Sequence, residues 1–201
     1  MTAIDIPGSV GRIEAHFDAA ADGRGTLAIL CHPHPQYGGS MHDGVLDIAA
    51  RVMLDHGIDC IRFNFRGVGG SDGRYDDGVG EVDDLIAVAN WATENHADHE
   101  LWLAGYSFGS SIVFKALSQL ETKFALLIAP PVGMMAFPDE IDTSAVHAIA
   151  GDQDNFVDSE QFIARFGDRA NLLNGADHFF GGYQNQLSDA VAQAIATALS
   201  A

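Results

Sequence analysis

Residues 101–114 are Leu101-Trp-Leu-Ala-Gly-Tyr-Ser-Phe-Gly-Ser-Ser-Ile-Val-Phe114, an apolar run that passes through Gly-x-Ser-x-Gly directly into a helical pattern. This order predicts a strand, a sharp turn and a helix, the context in which such a turn presents a nucleophilic serine. Glycines two residues to either side let chains pass close to a strained serine backbone. We therefore expect Ser107 to be a nucleophile, with the Phe108 amide at the positive helix end available to an oxyanion. The alternative is an ordinary tight turn, because the pentapeptide alone also occurs by chance.

Strand-like and helix-like segments alternate on both sides of this stretch. Continuous apolar runs, typical of strands buried on both faces, occupy residues 26–31, 58–65, 124–129, 145–150 and 170–173. Helical spacing or alanine-rich composition predicts helices at 45–54, 79–95, 161–166 and 184–199. Residues 3–17 alternate around Pro7-Gly8, as in an antiparallel hairpin at a sheet edge. The pattern predicts an α/β fold with a mostly parallel sheet, helices on both faces and an antiparallel N-terminal edge.

Length and composition limit the classes of protein that fit. The 201 residues are expected to form one domain, residues 1–201, because no linker or repeat interrupts them. The apolar runs are shorter than the ~18 residues of a membrane span, and a signal-peptide pattern is absent, which predicts a cytoplasmic protein. The formal net charge of −18 disfavours nucleic acid and anionic membranes as partners. Cys31 and Cys60 lie inside apolar runs and are expected to be free thiols.

A catalytic serine needs two further side chains, which the chain supplies after later strands. A histidine must accept the serine proton, and a carboxylate must hold that histidine in one tautomer. The segments Gly151-Asp-Gln-Asp154 and Asp177-His178 each follow a predicted strand directly. Because the carboxyl ends of parallel strands meet at one edge of the sheet, these side chains can converge on Ser107 there. Asp152, Asp154 and, more remotely, Asp158 are the candidate acids.

Five motifs, in one order along nearly the whole chain, resemble the α/β-hydrolase superfamily. Within it, they are most similar to small lidless bacterial serine hydrolases related to dienelactone hydrolases and serine peptidases. The motifs are Leu30-Cys-His-Pro-His-Pro-Gln-Tyr-Gly-Gly-Ser40, Phe63-Asn-Phe-Arg-Gly-Val-Gly-Gly-Ser71, Gly105-Tyr-Ser-Phe-Gly109, Gly151-x-x-Asp154 and Asp177-His-Phe179. The resemblance implies an α/β-hydrolase fold with no cap domain, Ser107 as nucleophile, His178 as general base and Asp154 as the orienting acid. Its Gly-x-x-Asp spacing favours Asp154 over Asp152.

The loop of residues 32–40 has two interpretations. Three histidines close in sequence, His32, His34 and His42, suggest a metal site, but no Asp, Glu or Cys pattern with zinc spacing accompanies them. We therefore expect neither a metal nor another cofactor. By the family's His-Gly-x turn, the loop instead supplies a second oxyanion donor. Prolines have no N–H, which leaves the amides of His34, Gln36 and Tyr37, and the resemblance favours His34.

The loop after the 58–65 strand, Arg66-Gly-Val-Gly-Gly-Ser-Asp-Gly73, contains charged residues that need partners. A buried charge is expected to be paired. In the family that the chain resembles, Arg66 and Asp72 would brace the loops around the site. The alternative for Arg66 is direct binding of substrate.

These residues predict a serine hydrolase acting through an acyl-enzyme on a small-molecule carboxylic ester. A thioester or amide substrate is an alternative, and so is a hydrolase fold kept as a binding module, which a complete triad argues against. The connection of residues 130–144 is too short for a cap of several helices, which predicts an open site for short acyl groups. Tyr37, Tyr106 and Met134 are expected to line a shallow acyl pocket, unless they pack into the core. Neither the physiological substrate nor the oligomeric state follows from the sequence.

Overall fold

The computed structural model of the chain describes residues 2–200. Its strands are β1 (Thr2–Gly8), β2 (Gly11–Asp18), β3 (Thr26–Cys31), β4 (Asp59–Phe63), β5 (Glu100–Tyr106), β6 (Phe124–Ile128), β7 (Val146–Gly151) and β8 (Ala170–Leu173). Its α-helices are α1 (Gly44–Asp55), α2 (Gly80–Asn95), α3 (Phe108–Ala116), α4 (Ser159–Phe166) and α5 (Gln184–Leu199). Short 3₁₀ turns lie at Pro35–Tyr37 and Gly167–Arg169.

The strands form one sheet in the order β1-β2-β4-β3-β5-β6-β7-β8. In this order, the strands β4, β3, β5, β6, β7 and β8 pair with their neighbours in parallel. Strand β2 pairs antiparallel with both β1 and β4. This confirms the predicted α/β-hydrolase fold with its antiparallel N-terminal edge. The hairpin turn is Ser9-Val10, two residues later than the sequence suggests, because Pro7 and Gly8 still pair with Arg12 and Gly11 inside the β1–β2 ladder. An edge strand tolerates proline, since the lost N–H faces solvent.

The sheet is buried on both faces, as the continuous apolar runs predict. In β3, Leu27 and Ile29 join the core cluster that contains α2, α3 and α4. Ala28 and Leu30 point to the opposite face and pack with α1 and α5. All six residues of β3 are buried, and each large side chain contributes about 1.5–3 kcal/mol by leaving water. Packing on both faces fixes the strand register, and thereby the positions of the loops at the strand ends.

Those loops gather at the carboxyl edge of the sheet. The segments after β3, β5, β7 and β8 carry the candidate catalytic residues and oxyanion donors, as parallel strands require. The connection from β6 to β7 contains turns and one isolated bridge between Val132 and Met135, but no helix. The absence of a cap is therefore confirmed. Among residues 2–200, none of the helices has the length and apolar character needed to cross a bilayer.

Candidate active site

The turn between β5 and α3 presents Ser107 at the carboxyl edge of the sheet. Ser107 has φ 53° and ψ −119°, a left-handed conformation that costs a residue with a side chain about 1–3 kcal/mol. Its amide donates to the Ile128 carbonyl of β6 at 2.8 Å, which holds the turn against the sheet. A Cβ on Gly105 would lie 2.4 Å from the Gly109 carbonyl oxygen, and one on Gly109 would lie 2.2 Å from that of Cys31. The turn therefore requires both glycines.

Ser107, His178 and Asp154 are joined by consecutive hydrogen bonds. Ser107 Oγ lies 2.9 Å from His178 Nε2, and His178 Nδ1 lies 2.7 Å from Asp154 Oδ2. An ionised carboxylate only accepts, so Nδ1 carries the proton and Nε2 is free to accept from the serine hydroxyl. The other carboxylate oxygen, Oδ1, accepts from the Phe156 amide at 2.8 Å, and the Asp154 side chain has 0% exposure. This arrangement holds His178 in the tautomer that a general base needs.

The other two candidate carboxylates have different partners. Asp152 Oδ1 accepts from the Gly175 amide at 2.7 Å, which ties the loop after β7 to the loop after β8. Asp158 is the N-cap of α4 and accepts from the Gln161 amide at 3.0 Å, a bond that lowers the pKa of this aspartate. Both residues are exposed. Among the described residues, the carboxylate that bonds the imidazole is Asp154.

Tyr106 packs against His178 in the core, which is the second of the two placements that the sequence left open. It is 3% exposed, and its hydroxyl donates to the His178 carbonyl oxygen at 3.0 Å. Burial raises the pKa of this hydroxyl above its ordinary value, so it remains a neutral donor. The Phe156 ring lies 4.6 Å from the imidazole as well. Tyr106 therefore helps to position the histidine.

The loop of residues 32–39 lies beside the serine turn, since Gly109 packs against the carbonyl groups of Cys31 and His32. In this loop the Gln36 amide donates to His34 Nδ1 at 3.2 Å, and the Tyr37 amide donates to the His34 carbonyl oxygen at 3.1 Å. Two of the three candidate donors are thus used within the loop. Within residues 2–200, the amides of His34 and Phe108 have no protein acceptor. The rings of these two residues are 4.8 Å apart.

The three histidines that suggested a metal site have separate environments. His32 is buried, donates from Nδ1 to the Pro33 carbonyl oxygen at 2.6 Å, and accepts at Nε2 from the Phe65 amide at 3.0 Å. Burial lowers the pKa of His32 from 6.5 to about 4, so it is neutral. The His42 ring instead lies 5.4 Å from the His16 ring. Among the residues that the structure describes, no group of three His, Cys, Asp or Glu side chains is arranged to hold a metal ion.

Arg66 forms a buried ion pair with Asp84 of α2. Arg66 Nη2 donates to Asp84 Oδ1 at 2.8 Å, and the Arg66 amide donates to Oδ2 at 2.9 Å. The side chains are 6% and 0% exposed, and the hydrogen bonds to Asp84 raise the pKa of Arg66. Asp72 accepts from the Arg12 amide of β2 at 2.8 Å. The loop after β4 is thus braced on α2 and on the N-terminal hairpin, as the resemblance implies.

The remaining residues expected to bind substrate lie at the surface. Tyr37 is 87% exposed, with its ring 4.8 Å from that of His34. Met134 is 65% exposed and helps to line a cavity of about 640 Å³ between the β6–β7 connection and α4. The side chains that line this cavity do not include Ser107 or His178. Tyr37 therefore stays a candidate for substrate contact, whereas Met134 faces a separate depression.

Two residues near the site were not identified by the sequence analysis. Asp84 lies on the apolar face of α2, between Glu81 and Leu85, and a carboxylate on such a face indicates a buried partner. That feature could have identified the ion pair with Arg66. Tyr75 lies in a loop, and no local pattern indicates that its hydroxyl reaches His34. Only the folded structure brings them together.

Comparison with known proteins agrees with this architecture. A sequence model of the family described as alpha/beta hydrolase fold matches residues 30–174. The crystal structure of an α/β serine hydrolase without a lid from Xanthomonas campestris is 35% identical with a TM-score of 0.90, covering 98% of this chain and 94% of that one. An α/β serine hydrolase homologue from Coxiella burnetii is 36% identical with a TM-score of 0.89, covering 96% of each chain.

A third relative extends the likeness. An uncharacterized protein of Rickettsia prowazekii (strain Madrid E) is 33% identical, covering 95% of this chain and 87% of its own length. The family match spans most of the chain, and the three relatives align with nearly all of it. The TM-scores of 0.90 and 0.89 show that the two solved structures share the fold of this chain, and the Xanthomonas campestris protein also lacks a lid. The chain therefore belongs to the α/β-hydrolase superfamily, in which its relatives include a bacterial serine hydrolase without a lid.

Proposed function

We propose that this protein is a serine hydrolase that cleaves a small carboxylic ester through an acyl-enzyme. Ser107 is the nucleophile, His178 the general base and Asp154 the carboxylate that orients it. The proposal rests on one observation, the unbroken hydrogen bonds from Ser107 Oγ through both imidazole nitrogens to a buried carboxylate, at 2.9 and 2.7 Å. Membership of the α/β-hydrolase superfamily supports hydrolytic chemistry.

Acylation begins when Ser107 Oγ attacks the ester carbonyl carbon while His178 Nε2 takes the hydroxyl proton. The carbonyl π electrons move to oxygen, which gives a tetrahedral oxyanion. As that intermediate collapses, the bond to the alkoxy group breaks and His178 donates its proton to the leaving oxygen. Water then attacks the acyl-enzyme with His178 again as base, and the serine oxygen leaves with that proton. The products are a carboxylic acid and an alcohol.

The oxyanion is stabilised by the amides of Phe108 and His34. The Phe108 amide is at the N-terminus of α3, where the helix dipole adds partial positive charge. The His34 amide comes from the adjoining loop, whose other candidate donors bond within the loop. Removal of one oxyanion donor from a serine protease lowers kcat about 10²–10³-fold. Both donors stabilise the transition state more than the bound ester, because the negative charge on the oxygen develops only in the transition state.

The surroundings of Ser107 favour an uncharged substrate of small size. No cap helix covers the carboxyl edge between β6 and β7. Exposed aromatic side chains flank the histidine and the second donor loop, with Phe179 66%, Phe156 43% and Tyr37 87% exposed. The formal net charge of −18 repels anionic substrates. A neutral ester that rests on aromatic side chains fits these features.

Fluorophosphonate labelling combined with hydrolysis of p-nitrophenyl acetate tests the proposal. The wild-type protein should be labelled once and should hydrolyse the ester, and Ser107→Ala should lose both. Ser118→Ala is the matched control, because Ser118 is exposed, lies just beyond the end of α3 and donates its hydroxyl to the Lys115 carbonyl oxygen. Thioester and amide analogues with the same acyl group then rank the leaving groups. A folded wild-type protein with neither labelling nor turnover would indicate a binding module.

A further inference from the structure

Tyr75 connects the loop after β4 to the loop that carries the second oxyanion donor. Its hydroxyl oxygen lies 3.2 Å from His34 Nε2, although the residues are 41 positions apart. The Tyr75 ring is 5.0 Å from the His34 ring and 5.9 Å from the Phe108 ring. The three side chains therefore form one cluster, and two of their main-chain amides are the proposed oxyanion donors.

The Gln36 amide fixes the direction of the bond between His34 and Tyr75. That amide can only donate, and it lies 3.2 Å from His34 Nδ1, so Nδ1 carries no proton. In a neutral imidazole the proton is then on Nε2, which donates to the Tyr75 hydroxyl oxygen. His34 thus uses one ring nitrogen within its own loop and the other across to the neighbouring loop.

We propose that the contact between His34 and Tyr75 holds the His34 main-chain amide at the oxyanion, which makes the His34 imidazole and Tyr75 positioning residues for the reaction. The inference rests on the proposed function, because the amide has this task only if Ser107 attacks a carbonyl. Main-chain bonds of His34 stay within the loop, where its carbonyl oxygen accepts from the amides of Tyr37 and Gly39 at 3.1 Å each. The Tyr75 hydroxyl anchors the residue from outside the loop.

The same geometry makes the loop depend on a neutral His34. A protonated imidazole carries N–H on both nitrogens and would oppose the Gln36 amide with a second donor, so that bond would be lost. The groups that face or lie close to the ring are the carboxylates of Asp77 and Glu81, the hydroxyl of Tyr75, and the rings of Tyr37 and Phe108. Burial lowers the pKa of His34 despite the two carboxylates. The loop is therefore intact at neutral pH and loosens as the pH falls through that pKa.

The first test is Tyr75→Phe, which removes the hydroxyl and keeps the ring. Loss of one hydrogen bond of about 1 kcal/mol should lower kcat for p-nitrophenyl acetate roughly five- to tenfold with KM unchanged. A trifluoromethyl ketone, which forms a tetrahedral oxyanion on the serine, should bind more weakly by the same factor. The matched control is Tyr183→Phe, a hydroxyl removed at the residue before α5. Unchanged kcat, or a rise in KM alone, would overturn the inference.

The second test uses His34→Asn, whose side-chain oxygen can still accept from the amide two residues on but does not titrate. As the pH falls through the lowered pKa of His34, kcat/KM of the wild type should fall by an additional factor of about five to ten, because the bond from the Gln36 amide is lost. The variant should lack this additional fall. The same acid-side profile in both proteins over the shared folded range would overturn the inference. Fluorophosphonate labelling of Ser107 in the same preparations distinguishes this inference from the proposed function. If the proposed function is wrong, labelling is absent, whereas labelling persists if only this inference is wrong.

Discussion

The base side of the candidate site, residues 151–158 and 174–180, is built differently from the oxyanion side, residues 32–39 and 64–78. On the base side the side chains themselves carry the chemistry, as His178 and Asp154 bond directly in a buried setting. On the oxyanion side the proposed donors are main-chain amides, which every residue but proline possesses. Side chains there, such as His32 and Arg66, hold loops in place. Substitutions should therefore have large effects on rate at the base side and effects on stability or loop placement at the oxyanion side.

The largest expected effect is that of Asp154→Asn on the base side. The amide would present a donor or a weaker acceptor to His178 Nδ1, which favours the wrong tautomer. By the effect of the same exchange in a serine protease triad, kcat should fall about 10⁴-fold with the fold intact. Stopped-flow or steady-state hydrolysis of an activated ester, with circular dichroism as a check on folding, measures this.

Asp152→Asn is the internal control for that measurement. Asp152 bonds the Gly175 amide at 2.7 Å and does not bond the imidazole, so its replacement should lower kcat by less than about tenfold. A larger loss of kcat from Asp152→Asn than from Asp154→Asn would show that the base side is assembled differently in solution.

The sequence predicts the two sides of the site to different degrees. Parallel strands buried on both faces give continuous apolar runs, so the fold and the placement of Ser107, Asp154 and His178 at one edge follow from local patterns. Element ends depend on single contacts, which is why α4 begins at Ser159, after its Asp158 cap, two residues earlier than periodicity suggests. The oxyanion side depends on contacts between distant loops, such as Tyr75 with His34. No local pattern encodes a contact of this kind.

On the oxyanion side, Arg66→Met should lower stability more than it changes binding. Removal of the guanidinium leaves the Asp84 carboxylate buried at 0% exposure without its cationic partner, which costs about 3–5 kcal/mol of unfolding free energy. Chemical denaturation with urea measures the loss. Arg74→Met, an exposed arginine in the same loop, is the control and should change stability by less than about 0.5 kcal/mol. A rise in KM without loss of stability would instead assign Arg66 to substrate binding.

On the oxyanion side, His32 is expected to have a smaller, pH-dependent effect on the free energy of unfolding. Its pKa is about 4 in the folded protein against 6.5 when solvated, so the unfolded chain binds the proton more readily. Its contribution to stability is fully present above pH 6.5 and is lost as the pH falls from 6.5 to about 4. Between pH 7 and 4.5 the loss from this one group is about 2 kcal/mol.

Urea unfolding of the wild type and of His32→Asn at both pH values isolates this contribution. The variant cannot titrate at this position, so its stability should fall by about 2 kcal/mol less between pH 7 and 4.5. Other groups titrate in both proteins and cancel in the comparison. The same pH dependence in both proteins would mean that His32 is accessible to solvent, and that the link from the 32–39 loop to Phe65 is open.

The smallest expected effect is that of acyl chain length on kcat/KM. It tests whether any part of the protein covers the base side and the oxyanion side. With no helix between β6 and β7, a growing acyl chain should leave the protein surface after its first few carbons. Each methylene contributes about 0.8 kcal/mol only when it is fully buried, so kcat/KM should rise for short chains and then level off. The measurement is kcat/KM against acyl length, at concentrations below micelle formation. The cavity of about 640 Å³ lined by Met134 and Phe137 is the place where a longer chain could still be buried. A rise that continues to long chains, and that Met134→Ala removes, would show that the cavity is continuous with the site around Ser107.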